Sequence, residues 1–307
     1  MIAFGSSISE TEPYHRYCEP GIRSAAEPDS EIFAFALAGS TSRTYNLMLD
    51  AAAAREELEA LVLVHSYAEI VDPAFCRKVR QVLSDEEVAV AGCVGATGVR
   101  SIAWWEGSVI SGPVVQRYTE HGGGETPAFA WTQSDPAPGE VDAVDGFLLV
   151  LSPWAVSNVR FDESLVLEPG FDLDYGFQVR ARGRKVVAAD LGVVYHRSLE
   201  VVPEEGLGLW VEAHMQWAEK WDGRMPGIDA AEVDWKERAR RAEAEREAAR
   251  AIAYSNSLRL DARVFELESA WDELSATLSW RITEPLRRVN LWRKEGIERR
   301  RERRASS

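Results

Sequence analysis

Short apolar segments alternate with helical stretches in the first hundred residues, and this alternation most constrains the fold of the chain. The apolar segments cover residues 2–4, 31–35, 61–64 and 88–90. Segments of this length and character are typical of buried strands. Strands that alternate with helices form mostly parallel sheets through right-handed crossovers. The sequence therefore predicts an α/β fold with a mostly parallel sheet flanked by helices.

Acidic side chains and one histidine stand at the ends of predicted elements further along the chain. They are Asp145, Gly146 beside it, Asp172, Asp174 and His196. Open α/β folds hold their ligands in a crevice at the ends of strands. Asp172 and Asp174 also lie in the first turn of a predicted helix, where acids cap free amide groups. A functional role and a capping role therefore both remain open for these two acids.

The order of four elements in this half resembles that in inverting family 2 glycosyltransferases of the GT-A fold. The narrower resemblance is to the glycosyltransferase-like domain named after streptomycin biosynthesis. The elements are an Asp-Gly strand start at Asp145, a Phe-Asp-Glu turn at 161–163, an acidic helix start at Asp172 and a late His196. A Tyr-Asn helix at 43–51 supports the resemblance.

The resemblance implies a reaction and a set of roles. The reaction is direct displacement with inversion, which moves a sugar from a nucleoside-diphosphate sugar to a glycan, lipid-linked or secondary-metabolite acceptor. Such chemistry needs one base and one group that stabilises the leaving charge. Asp172 corresponds to the base, while Asp145 and Asp174 orient the acceptor or the base. His196 and Arg197 face the diphosphate.

The donor half of the resemblance begins at the first strand and fails after the third. Ser6 and Ser7 follow the first strand and leave room for a nucleotide. After the third strand the family carries an Asp-x-Asp or His-x-Asp signature that holds a metal. Here the residues are His65, Ser66, Tyr67, Ala68 and Glu69, so the expected Asp is missing.

Three interpretations of this departure stay open. Glu69 or His65, with His196 as a further ligand, binds a divalent manganese or magnesium ion. Alternatively, His65 and Tyr67 contact the phosphates directly and no metal is used. In the third interpretation donor binding is lost, and the chain is a degenerate domain that acts as a glycan-binding or scaffolding protein.

Turn-forming residues dominate residues 98–141, which we expect to form a long excursion over the crevice. Trp104 and Trp105 in this segment can stack on a sugar or a base. Aromatic pairs also pack loops onto their own domain, and this alternative stays open.

The whole-chain charge excludes general nucleic-acid binding as a function. The formal net charge of the 307 residues is −15, although the last 32 residues are basic. An acidic body repels the phosphate backbone.

Three cysteines without a Cys-x-x-Cys spacing indicate neither a disulfide framework nor a zinc site. We expect a cytoplasmic protein, because no signal peptide or membrane-spanning run is present in the sequence.

Two further segments follow a glycosyltransferase-like domain at 1–225. Residues 230–278 lack proline and glycine and predict a long helix. A heptad seam at 260–278 either joins the chain to a second copy or folds back on the first domain; it comprises Leu260, Val264, Leu267, Trp271, Leu274 and Leu278. The basic tail at 279–307 either contacts the inner face of a membrane or is solvated.

Overall fold

The computed structural model describes residues 1–104, 107, 109–112, 115–118, 129–130, 139–165, 170–197, 204–221, 224 and 235–283. The chain divides into two units, Met1–Ile228 and Asp229–Ser307. Most of the predicted basic tail, from residue 284 onward, lies outside the described residues. Among those that are described, no helix is both long and apolar enough to cross a membrane.

The strands of the first unit are short and are numbered in chain order. They are β1 (Ile2–Ile8), β2 (Glu31–Ala36), β3 (Ala60–Val64), β4 (Ala68–Ile70), β5 (Val88–Gly92), β6 (Gly95–Thr97), β7 (Val109–Ser111), β8 (Val115–Tyr118), β9 (Phe129–Ala130), β10 (Gly139–Val141), β11 (Ala143–Val144), β12 (Leu148–Leu151), β13 (Lys185–Ala188) and β14 (Val193–Arg197).

The helices are numbered in the same way, and a π-helical turn at Tyr14–Cys18 connects the first two. They are α1 (Thr11–Pro13), α2 (Glu19–Ala25), α3 (Thr41–Ala53), α4 (Phe75–Val82), α5 (Pro153–Asn158), α6 (Phe171–Ala181), α7 (Glu204–Trp221) and α8 (Trp235–Ala276). The last helix belongs to the second unit.

A seven-stranded sheet in the order β10-β13-β5-β12-β3-β1-β2 forms the centre of the first unit. β1 pairs in parallel with β2 and β3, and β13 pairs in parallel with β5. β12 lies between β3 and β5 and is antiparallel to both, so β3 and β5 run in the same direction. The predicted α/β fold with a mostly parallel sheet is confirmed.

Both faces of the sheet are covered, which explains why its central strands are uniformly apolar. Along β3, Val62 and Val64 pack in one core with residues of α2 and α4. Leu61 and Leu63 pack in the other core with residues of α3, α5 and α6. Every residue of β3 is buried. The sheet therefore holds its strand ends on a rigid frame.

A second sheet, in the order β4-β14-β8-β9, continues from the end of β3. β4 and β14 are antiparallel, and Val194 lies opposite Glu69. This pairing brings the residues after β3 beside a strand that lies far later in the chain. Residues 65–69 therefore lie beside the strand that carries His196.

The N-terminal segment differs from the sequence prediction in the length of β1, and it contains a helical stretch where no element is predicted. β1 continues to Ile8, so Ser6 and Ser7 lie inside the strand and not after it. Residues 11–25 are helical, although Pro13, Pro20 and Gly21 disfavour a helix there. Pro20 lies in the first turn of α2, where proline is tolerated. Gly21 allows close packing, since an added Cβ would lie 2.6 Å from the Ile70 amide nitrogen.

The Tyr-Asn helix and the Phe-Asp-Glu turn are in direct contact. The Asn46 side-chain amide donates to the Phe161 carbonyl, and its oxygen accepts from the Phe161 amide, both at 2.9 Å. The rings of Tyr45 and Phe161 lie 5.3 Å apart. These two sequence motifs therefore form one structural clamp between α3 and the segment that follows α5.

Replacing Asn46 with alanine should lower the free energy of unfolding by about 2–3 kcal/mol, because two backbone groups of buried Phe161 lose their partners. Asp50→Ala on the same helix is the matched control, since it removes only an exposed ion pair with Arg160 and should cost less than about 1 kcal/mol. Urea unfolding of both variants checks the difference. Equal losses would contradict the clamp.

Candidate functional site

Several of the predicted site residues lie where β3 ends and β12 begins. Because these strands are antiparallel, the residues after β3 lie beside those before β12. The His65 amide donates to the Phe147 carbonyl at 2.9 Å across this edge. This edge also holds the carboxyl ends of β1 and β5, as expected for a ligand crevice in an α/β sheet.

Asp172 is held against the backbone of Gly146. The Gly146 amide donates to Asp172 Oδ2 at 2.6 Å, and the Leu173 amide donates to Oδ1 at 2.9 Å. A Cβ on residue 146 would lie 2.8 Å from the Asp172 Cβ, closer than packing permits. Gly146 is therefore required for the position of this carboxyl group.

Two hydrogen-bond donors hold the Asp145 carboxylate in place. The Trp104 indole Nε1 donates to Asp145 Oδ2 at 2.9 Å, and the Phe147 amide donates to Oδ1 at 3.0 Å. Trp104 is only 2% exposed. This burial favours the alternative in which Trp104 packs within its own domain, while stacking on a sugar or base stays a prediction. Trp105 lies outside the described residues.

The ionisation of Asp172 is strongly perturbed. Burial, together with the negative charge of Asp145, raises the pKa of Asp172 to about 7. Hydrogen bonds from the Leu173 and Gly146 amides act in the opposite sense. A carboxylate that titrates near neutral pH is suited to accept a proton during catalysis.

Asp174 has a structural role in the fold, while its predicted role in orienting the acceptor or the base stays a prediction. It has no exposed surface. Its carboxylate accepts from Trp221 Nε1 at 2.9 Å, from Gln178 Nε2 at 2.8 Å and from the Lys220 ammonium at 2.7 Å. Lys220 also contacts Asp162 at 2.5 Å. Asp174 therefore joins α6 to α7 through a buried ion pair.

The buried His196 imidazole pairs with the partly exposed Glu69 carboxylate and lies against an aromatic ring. His196 Nε2 lies 2.7 Å from Glu69 Oε2, and the imidazole is 1% exposed. The Tyr17 ring stacks on the imidazole, with 3.7 Å between centroids and 10° between planes. No sequence signal points to Tyr17, because it lies in a segment with no predicted element. The Arg197 side chain is outside the described part of the chain.

His65, Tyr67 and Glu10 form a second polar group at this edge. The Tyr67 amide donates to His65 Nδ1 at 3.3 Å, and the Tyr67 hydroxyl donates to Glu10 Oε2 at 2.8 Å. Glu10 follows β1 and is absent from the predicted site residues. An acid directly after the first strand is the signal that could have found it.

The two serines of β1 differ in their access to a ligand. Ser6 is fully buried and accepts a hydrogen bond from Cys18, and its predicted contact with a nucleotide stays a prediction. Ser7 is 7% exposed, and its hydroxyl has no hydrogen-bond partner among the described residues. Ser7 therefore remains a prediction for the donor side.

The described residues do not make a complete metal site. Within the ranges that the structure describes, no three His, Cys, Asp or Glu side chains are grouped to hold an ion. The Glu69 carboxylate, whose side chain is 32% exposed, is accessible and already hydrogen-bonded to His196. Magnesium in nucleotide sites commonly takes one or two carboxylates and completes its shell with phosphate oxygens and water. Glu69 and His196 therefore suit a cation whose remaining ligands are phosphate oxygens and water.

The fold and this edge define a class of protein: an α/β domain with a glycosyltransferase-like arrangement of acids around one sheet edge. Among curated proteins, the streptomycin biosynthesis protein StrF of Streptomyces griseus is 30% identical over 220 residues, which are 71% of this chain and 73% of StrF. No protein-family model matches the chain. The chain belongs to the family of StrF, and the predicted resemblance to streptomycin-biosynthesis-type glycosyltransferase-like proteins is confirmed.

Three solved structures are similar over part of the chain. A197 from STIV has a TM-score of 0.37 and 13% identity, over 62% of this chain and 81% of its own. GalNAc-T7 with UDP, GalNAc and Mn²⁺ has a TM-score of 0.45 and 9% identity, over 69% and 46%. The mannosyltransferase PcManGT from Pyrobaculum calidifontis with GDP-Man and Mn²⁺ has a TM-score of 0.43 and 11% identity, over 73% and 65%. The chain thus spans less than two thirds of both transferases.

The raised pKa of Asp172 predicts a pH dependence of stability. An unfolded Asp titrates near pH 4, whereas folded Asp172 titrates at about 7. The folded state therefore holds a proton that the unfolded state lacks, and its contribution to stability is lost as pH rises from about 4 through about 7. Urea unfolding of wild type and Asp172→Asn across pH 4–8 should show wild type losing stability relative to the variant in this window. A constant difference would contradict the raised pKa.

Proposed function

We propose that the chain transfers a sugar from a nucleoside-diphosphate sugar to a hydroxyl of a glycan, lipid-linked or secondary-metabolite acceptor, with inversion. The observation that carries this proposal is Asp172, held by the Gly146 amide at the sheet edge with its pKa raised to about 7. Membership in the StrF family of glycosyltransferase-like proteins supports the class of reaction.

In the proposed reaction Asp172 is the general base. The acceptor oxygen forms a bond to the anomeric carbon while its proton passes to the Asp172 carboxylate. The bond from the anomeric carbon to the diphosphate breaks on the opposite face, and the diphosphate leaves with the bonding electrons. Asp145 lies beside Gly146 and keeps the Asp172 proton affinity high through its negative charge.

The donor side is assigned to the edge between β3 and β14. Ser7, His65 and Tyr67 offer groups for the diphosphate, and Arg197 follows His196 at the end of β14. Two carboxylates, Glu10 and Glu69, also lie here and oppose a diphosphate by their charge. A divalent cation held by Glu69 and His196, when bound, would neutralise that repulsion.

Asp172→Asn should lower the rate of sugar transfer at least about a hundredfold, because the side-chain amide cannot take up the proton of the acceptor hydroxyl. Binding of the nucleoside diphosphate should stay within about twofold of wild type, since Asp172 lies on the acceptor side. Nucleotide-sugar donors are first screened by thermal shift, and diphosphate release is then measured with the best donor. Asp50→Asn, exposed on α3, is the control. Retained turnover in Asp172→Asn would show that another residue is the base.

Glu69→Ala tests the proposed cation. Manganese alone should give no saturable heat in calorimetry, because the described residues supply too few ligands. Nucleoside diphosphate should bind more tightly with manganese than without it. In Glu69→Ala, this manganese-dependent gain in affinity should be at least about tenfold smaller than in wild type. Glu12→Ala, an exposed acid on α1, is the control.

The same titration separates the enzyme from the competing function. No nucleotide binding with or without manganese would contradict sugar transfer and favour a degenerate domain that binds glycans or acts as a scaffold. Equal affinity for the nucleoside diphosphate with and without manganese would support the proposed transferase function and exclude Glu69 as a metal ligand.

A further inference from the structure

The second unit carries an exposed apolar stripe that the proposed reaction does not use. Its six residues are between 47% and 73% exposed. They are Leu260, Val264, Leu267, Trp271 and Leu274 on α8, and Leu278, which follows a bend at Thr277 after the end of α8. We call this stripe the α8 seam. Large apolar side chains exposed in a continuous row indicate a surface that binds a partner.

The spacing of the α8 seam is that of a coiled coil. The intervals alternate between four and three residues, which is the heptad pattern that keeps one stripe facing a second helix. Val264, Trp271 and Leu278 occupy the first core position of each heptad, and Leu260, Leu267 and Leu274 occupy the other. Leucine fills the other position throughout, and Val264 is the one β-branched residue at the first position, a combination that favours two strands in that heptad.

We infer that the α8 seam pairs with the same seam of a second copy of this chain as a parallel two-stranded coiled coil. The residues that flank the seam favour this orientation. In a parallel pair, the residue before each first core position lies near the residue five positions later in the other helix. Arg263 then lies beside Glu268 of the partner subunit, and the two-fold symmetry forms this attractive pair twice.

The antiparallel alternative is disfavoured by the same charges. Keeping all six seam residues in contact places Val264 against Leu274 of the partner subunit. That register brings Glu268 beside Glu268 of the partner subunit near the centre of the pair. Like charges in such flanking positions repel and oppose assembly. Arg263 has no acidic residue opposite it in this register, because Thr277 of the partner subunit lies there.

The parallel pair also accounts for the composition of α8. Helices of this length in water are normally stabilised by packing of an apolar face. Most described side chains of α8 are exposed, and its last third holds the seam. A second copy supplies an identical apolar face and buries Leu267 and Trp271 near its centre. Because the seam has fewer than three full heptads, assembly should depend on protein concentration.

The mass of the full-length chain in solution tests the pairing. Light scattering across a dilution series should show a transition from twice 34.2 kDa towards 34.2 kDa. Leu267→Asp should shift the midpoint to at least about tenfold higher concentration, because it places a charge in the seam. Phe265→Asp, which changes a more exposed residue off the seam, should leave the midpoint unchanged. A monomer at every concentration would overturn the inference.

Cysteine cross-linking tests the orientation. Under mild oxidation, two copies of Val264→Cys should join through a disulfide at the substituted position, since equivalent residues meet in a parallel pair. The three native cysteines are buried, so the wild-type chain is the control and should not cross-link. Cross-links that form only when Val264→Cys is mixed with Leu274→Cys would overturn the parallel orientation. Loss of the dimer in Arg263→Glu and its recovery in Arg263→Glu with Glu268→Arg would support the flanking pair.

Discussion

The insertion of β12 between β3 and β5 is the constraint on which the rest of the first unit depends. β12 is antiparallel to both neighbours, so its amino end lies at the carboxyl ends of theirs. That reversal brings Asp145 and Gly146 to the edge where β3 ends in His65. An all-parallel sheet would leave these residues at the opposite edge. The acceptor and donor halves of the proposed site meet because this one strand runs the other way.

The acidic residues of the second half divide into two groups with different physical roles. Asp172 accepts hydrogen bonds from two backbone amides and has a raised pKa. Asp174, two residues later, is fully buried and paired with Lys220 and Trp221. Residues two apart on a helix point in different directions. The helix therefore offers one carboxyl group to the sheet edge and uses the other to hold α7.

The buried Asp174 pair illustrates why α7 is essential to this arrangement. Removing Lys220 would leave the fully buried Asp174 carboxylate without its cation, which costs several kcal/mol. Lys220 also contacts Asp162 in the Phe-Asp-Glu turn, and Asn46 holds that turn through Phe161. The motif elements that carry the family resemblance are thus linked by contacts that stabilise the fold. Much of the recognisable pattern reflects packing around Asp172.

The central sheet is predictable from the sequence because its strands are short, apolar and buried on both faces. β3 and β12 are recognisable in this way, and so is the helix that begins near Asp172. The helical segment at 11–25 is not, because Pro13, Pro20 and Gly21 act as breakers by local rules, whereas the contact of Gly21 with Ile70 is a tertiary effect. Single residues are harder to assign, since burial decides their role. Trp104, Asp174 and Ser6 are suitable residue types for a site, yet each is buried and hydrogen-bonded within the fold.

The residues after β3 depart from the family pattern at one position, and a polar pair lies close to that position. Tyr67 stands where an acid is expected, and its hydroxyl is tied to Glu10. The accessible carboxylate is instead Glu69, two residues later, and it faces His196 because β4 and β14 pair in antiparallel register. The Tyr17 ring stacks on that imidazole. The buried Nδ1 atom of the imidazole has no hydrogen-bond partner among the described residues. An unpaired buried nitrogen is costly unless a ligand or water satisfies it. The Glu69–His196 pair therefore leaves polar atoms for a ligand or water close to the position where the family resemblance places an acid.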